Sequence, residues 1–278
     1  MLDSLRMAFS LYSIIPVPPA EWNEKSMKCC ICFLPLVGGV IGTVQYLAFK
    51  CMAMLSFGDL FRGAVLSVLP VLITGGIHLD GFLDTCDAIH SYGSREKRLE
   101  ILKDPHVGAF ALIGGCVWFV LWLGVWAEAG EREILPMCLI FVLSRAMSAY
   151  AALTFPKARK DGMLRGETDP AAKGASTAMA AASVLTAAAI VLAGLLSDLF
   201  TAGNAAPADG LRAGGTVPFS GCICAASSVV TAAAALIYYR RMSEKQFGGT
   251  TGDLAGWFTQ VCELAAAGAV VVMSHILG

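Results

Sequence analysis

Apolar residues come in long, nearly uninterrupted runs along this chain. Asp, Glu, Lys and Arg are absent from residues 29–49, 63–79, 105–127, 174–197 and 213–239. Two further runs carry one residue of these four types each, Arg145 within 134–154 and Glu263 within 257–277. A helix of about 20 apolar residues crosses a bilayer core, so the pattern predicts an all-α bundle of seven membrane-spanning helices. The segment Leu5–Ile15 is amphipathic and stops at Pro16, Pro18 and Pro19. Eleven residues cannot cross, which predicts an interfacial helix there.

Composition agrees. Hydrophobic residues make up 56% of the 278 and charged residues only 15%, against roughly 25% charged in a soluble domain. With a formal charge of -1, a disordered tail, a coiled coil, a secreted disulfide scaffold and a basic nucleic-acid binder are excluded. The ten cysteines lie mostly in or beside apolar runs, where a thiol acts as a small hydrophobe. Cys222 and Cys224 lack the companion ligands that zinc needs. No basic cluster or small-x-small site marks the opening residues as a cleavable signal, so none is expected. Runs 174–194 and 225–237 are rich in small residues, suited to close helix approach in lipid or reflecting an alanine-rich genome.

Basic residues orient the spans. With the N-terminus inside, fifteen of the 20 basic residues fall in inner connections and four outside. The expectation is one membrane-embedded domain, residues 1–278, in the cytoplasmic (inner) membrane. Its inner face would carry loops at 78–108, 157–174 and 240–254.

The chemistry concentrates in GGIHLDGFLDTCDAIHSYGSREKRLEILKDPHVGAF, residues 75–110. Asp80, Asp84 and Asp87 are spaced by four and three, which puts three carboxylates on one helix face. Like charges that close call for a counter-charge, and all-oxygen ligands favour Mg²⁺. Mg²⁺ uses one or two carboxylates and leaves positions for phosphate oxygens, so the spacing suggests a metal-held phosphate site; a solvated helix end is the plain alternative. His78, two residues before Asp80, would face elsewhere as an interfacial or supporting group. Ser94 is placed to cap a short helix that ends before Pro105. Arg95, Arg98 and Lys103 can neutralise phosphate or simply set topology.

Two more inner loops have the composition of a ligand site. ARKDGMLRGETDPAAKG (158–174) sets Arg159, Arg165, Glu167 and Asp169 among glycines. FGGTTGDLAG (247–256) joins Gly249, Thr251 and Asp253 but lacks the lysine of a Walker A loop. Arg145 and Glu263 are costly in hydrocarbon; they could pair, or Arg145 could reach a phosphate.

Residues 75–110 resemble the cobalamin synthase family, the adenosylcobinamide-GDP ribazoletransferases. The resemblance rests on His78, Asp80, Gly81, Asp84 and Asp87, then Arg98-Leu99-Glu100-Ile101, Lys103-Asp104, Gly108 and Phe110. GGTTGD (248–253) and the early IPVP are similar to further family motifs, whereas DGMLRGETDP departs from the family's compact glycine-rich run.

The resemblance implies Mg²⁺-dependent joining of adenosylcobinamide-GDP to alpha-ribazole or its 5'-phosphate, with GMP released. Asp80, Asp84 and Asp87 would hold the metal. Asp104 and Asp253 would serve as a further ligand or orient the nucleophile. His78, Arg98, Lys103, Arg145, Arg165, Gly249 and Thr251 are the expected substrate contacts. Membrane lipid is an expected partner, and other corrinoid-assembly enzymes or a second copy of the chain are open ones. Two rivals remain: a CDP-alcohol phosphotransferase-like lipid enzyme, whose wider aspartate signature is missing, and a transporter, which leaves the acidic cluster unexplained.

Overall fold

A computed structural model describes residues 1–21, 29–158, 170–204 and 219–277. In chain order the α-helices are α1 (Leu2–Tyr12), α2 (Leu34–Met54), α3 (Asp59–Thr74), α4 (Ile77–His90) and α5 (Arg95–Ile101). Then come α6 (Ala109–Ala127), α7 (Ile134–Thr154), α8 (Pro170–Asn204), α9 (Ser220–Phe247) and α10 (Gly252–Leu277). A 3₁₀ turn at Ile31–Phe33 leads into α2. The described residues are all-helical apart from turns and one isolated bridge, and no disulfide joins any of the ten cysteines.

Among the described residues six helices are long and apolar enough to cross a membrane: α2 with its 3₁₀ turn, α6, α7, α8 from Gly174 to Phe200, α9 and α10. The expected second span, 63–79, is the exception. It is broken into α3 and α4, which meet at 96° and reach seven spans only when counted as one. The cause is local: Gly75 and Gly76 both adopt left-handed backbone, at φ 64° and 82°. Two successive residues of that kind end a right-handed helix at no steric cost only when both are glycine. The acidic stretch therefore occupies its own helix instead of the tip of a straight span.

α7 is the centre of the bundle. Fifteen of its 21 residues are buried, and it packs against α2, α8 and α10. Trp118, Trp122 and Trp126, one turn apart on α6, form a buried aromatic column that meets Phe141 of α7. Across α7 and α10, Arg145 and Glu263 form the ion pair left open by the sequence; both are 1% exposed, and Ser144 Oγ donates to the same carboxylate at 2.8 Å. The expected interfacial helix is α1. Past its end, Ile14 N–H donates to Ile73 O of α3 at 2.9 Å, which ties the N-terminal segment to the α3–α4 break.

Candidate active site

α4 packs against α10 and α6. Its first turn lies against α10, where a Cβ at Gly256 would stand 2.9 Å from His78 O. One turn on, a Cβ at Gly81 would stand 2.7 Å from the carbonyl oxygen and 2.8 Å from the Cα of Asp253. Only glycine admits the two backbones so close. Two motifs separated by about 170 positions are thus in contact. The last turn of α4 reaches the start of α6, where Asp87 accepts hydrogen bonds from the N–H groups of Gly108 and Ala111.

Asp84 lies between these two contacts, past the charge-free run 63–79 and level with the first residues of α6 and α10. Burial, then the carboxylates of Asp80, Asp253 and Asp87, raise its carboxyl group to about 6. Asp80 is exposed, while Asp84, Asp87 and Asp253 are half-buried. The predicted one-face spacing is therefore realised on a single helix, with Asp253 added from α10.

The glycine-rich turn is fixed from below. Thr250 N–H donates to Pro156 O at 2.7 Å, and Ala158 N–H donates to Thr250 O at 3.1 Å, so the turn is paired with the chain leaving α7. Tyr239 and Thr250 share a hydroxyl contact. Thr251 Oγ1 accepts from Leu254 N–H at 3.2 Å and caps α10. Gly249 and Thr251, expected to touch substrate, are both buried and serve the turn itself. Above them, the guanidinium of Arg95 lies directly on Gly248, whose φ is 73°. Arg95 reaches the site with a specificity its sequence position did not reveal. α5 starts as expected, with Ser94 Oγ accepting from Lys97 N–H at 3.3 Å. On this helix Arg98 is half-buried with an unpartnered Nε, and Lys103 beyond it is exposed.

The remaining expected residues have partners of their own or lie outside the described residues. Asp104 is exposed and holds His106, by a backbone bond of 3.0 Å and a ring contact of 2.6 Å; those bonds lower its pKa. His78 is buried and stacks on Tyr12 at 6.1 Å, as its two-residue offset from Asp80 implied. Arg145 is committed to Glu263 in the core and is not at the acidic surface. Arg165 and most of the 157–174 loop lie outside the described residues. Among the described residues, no three His, Cys, Asp or Glu side chains stand close enough to cage a metal ion.

The comparisons with known proteins point one way. The family described as cobalamin-5-phosphate synthase matches residues 4–271. The chain is 40% identical over 277 residues to the adenosylcobinamide-GDP ribazoletransferase of Lachnoclostridium phytofermentans, covering 99% of this chain and 96% of that one. The protein of the same name from Geobacillus thermodenitrificans is 29% identical over 92% of this chain and 90% of its own. That from Clostridium botulinum strain Eklund 17B is 35% identical over 55% of this chain and 62% of its own. No solved structure matches. With all but a few terminal residues matched, this chain belongs to the cobalamin-5-phosphate synthase family.

Proposed function

We propose that the chain joins adenosylcobinamide-GDP to alpha-ribazole or its 5'-phosphate, releasing GMP, at the end of the bundle where α4, α5 and α10 meet. The names of its relatives supply the substrates. The observation that carries the reading onto this chain is the contact of Gly81 with Asp253, which unites the two family motifs in one acidic surface.

Mg²⁺ dependence rests on the donor set. Asp80, Asp84 and Asp253 offer hard oxygens; burial first, and the neighbouring carboxylates second, raise the Asp84 carboxyl group, and a divalent cation would relieve the second of these. The described residues make no complete cage, which suits a cation that takes one or two carboxylates and completes its shell with phosphate oxygens and water. When bound there, Mg²⁺ supplies charge neutralisation at the diphosphate. The chain's own basic groups, Arg95 on the glycine-rich turn and Arg98 and Lys103 further along the same segment, would face the same anion. In-line displacement forms a bond from a ribose hydroxyl oxygen to the cobinamide-side phosphorus and breaks the bond to GMP. Positioning is then the main task of the site.

Orientation follows from the basic residues: the acidic end faces the cytoplasm. Tyr92→Cys, at an exposed position, should be labelled by an impermeant reagent only from that side. The reaction is tested by mixing purified protein with adenosylcobinamide-GDP, alpha-ribazole and Mg²⁺ and weighing the products. A mass corresponding to the joined cobalamin, together with GMP, is expected; unchanged substrates beside a folded protein would refute it.

A further inference from the structure

Asp87 is engaged differently from its companions on α4. Its carboxylate is divided between two backbone donors, Gly108 N–H to Oδ2 at 2.6 Å and Ala111 N–H to Oδ1 at 2.9 Å. Both donors belong to the start of α6, whose N-cap is Gly108 and has no side-chain cap of its own. A Cβ at Gly108 would stand 2.5 Å from Asp87 Oδ1 and 2.7 Å from its Cγ. Asp87 and Gly108, which belong to separate parts of the family pattern, thus fit one another as plug and seat.

The same device appears at the opposite end of the bundle, remote from the acidic surface. Asp198 of α8 accepts from Gly221 N–H at 2.8 Å and Cys222 N–H at 3.0 Å at the start of α9. A Cβ at Gly221 would stand 2.9 Å from Asp198 Oδ1. In both places a carboxylate from one helix caps another, where the free amides and the helix dipole favour an anion.

We propose that Asp87 is a positioning residue that locks residues 91–107 over the site, and that the one or two carboxylates a cation would take come from Asp80, Asp84 and Asp253, without it. The lock closes the chain between positions 87 and 108, and within that loop lie Arg95, Arg98 and Lys103. Holding α6 against α4 sets where those cations stand relative to the carboxylates. Only the kinetic part of the test rests on the proposed reaction.

Tryptic cleavage reads the lock directly, because Arg95, Lys97 and Lys103 are exposed. In metal-free, detergent-solubilised full chain, Asp87→Ala should speed cleavage between 95 and 103 about tenfold or more, as loss of two charge-assisted bonds implies. Gly108→Ala keeps every carboxylate but fills the seat, and should act alike; Asp84→Asn should not. The double variant should be no worse than the worse single one, since both remove one interaction. Asp87→Asn, which retains one acceptor oxygen, should recover part of the protection. It should raise KM for the corrinoid nucleotide several-fold and leave the Mg²⁺ midpoint in place, whereas simple loss of folded protein would leave KM unchanged. Unchanged cleavage in both Asp87→Ala and Gly108→Ala overturns the lock, and a raised Mg²⁺ midpoint with normal cleavage makes Asp87 a ligand. Absence of turnover in the wild type would refute the reaction, while the cleavage result still stands on its own.

Discussion

At the end of the bundle away from α4, charges are matched. Lys50 pairs with Glu131, Arg62 with Asp59 at 2.6 Å, and His275 meets Glu128 at 3.1 Å. Glu133 accepts from Ser274 Oγ at 2.7 Å and Gly130 N–H at 3.1 Å. At the acidic end the charges that act on Asp84 are all carboxylates. Arg145 and Glu263 form a matched pair in the core, whereas Asp84 at the other end stands among like charges. Crowding of this kind costs stability and shifts a carboxyl group toward its neutral form; a fold retains it where a ligand relieves it, which is why perturbed groups mark functional surfaces.

Three substitutions would break that contrast if it is wrong. The largest effect is expected of Asp84→Asn, a loss of turnover of about 10³-fold for removing a charge that organises the transferring phosphoryl group. The same change should stabilise the metal-free protein at pH 7. An unfolded Asp releases its proton near the ordinary value of 3.8, but the folded group holds it up to about 6. The native state therefore binds more protons across that interval, and stability falls as pH rises through it. Thermal unfolding in EDTA from pH 3.5 to 7 should show that fall in wild type and a flatter course in Asp84→Asn; equal slopes would mean the crowding is not felt. Next, Glu263→Ala leaves Arg145 charged and unpaired in the core and should cost about 3–5 kcal/mol. It should appear as lost folded yield, with normal KM in whatever protein survives. A raised KM at full yield would instead place the pair in substrate binding. Asp253→Asn should lower turnover by about 10–100-fold and raise the Mg²⁺ midpoint if it supports or holds the cation. An unmoved midpoint would detach α10 from the acidic surface.

Much of this was legible because membrane helices write themselves in composition. α7 has the expected bounds, 134–154, since charged and turn-forming residues flank an apolar run on both sides. α9 continues to Phe247, eight residues past the expected 239. Arg240, Arg241 and Lys245 carry no apolar signal, yet they extend a helix beyond the spanning stretch. The break at Gly75–Gly76 was written in the sequence as a glycine pair, but hydropathy alone reads through it. Gly38 and Gly42 stand four apart and meet the backbone of α7 at Phe141 and Cys138, a small-xxx-small contact that a search for charge-free runs does not see. In the site, the helical period correctly put Asp80, Asp84 and Asp87 on one face. It could not tell that Asp87 faces backbone amides, that Arg95 reaches Gly248, or that Thr251 serves as a cap. Those are contacts between distant segments, set by packing angles that no local period encodes.

The smallest effect sharpens the comparison most, because Asp87 and Asp198 make the same pair of backbone bonds at opposite ends of the bundle. Asp198→Ala removes the cap of α9 and should destabilise the protein by about 1 kcal/mol, the usual cost of losing an aspartate N-cap. The α9 start lies beside Arg132, Glu133 and Ser274, far from the glycine-rich turn, so neither KM for the corrinoid nucleotide nor the Mg²⁺ midpoint should move. Asp87→Ala removes an equivalent cap, and any kinetic effect it has beyond that of Asp198→Ala belongs to the segment it holds over the acidic surface. Matched unfolding temperatures with unmatched KM values would separate capping from positioning. Equal kinetic loss from both variants would show that catalysis senses the rigidity of the whole bundle, and the contrast between its two ends would lose its functional meaning.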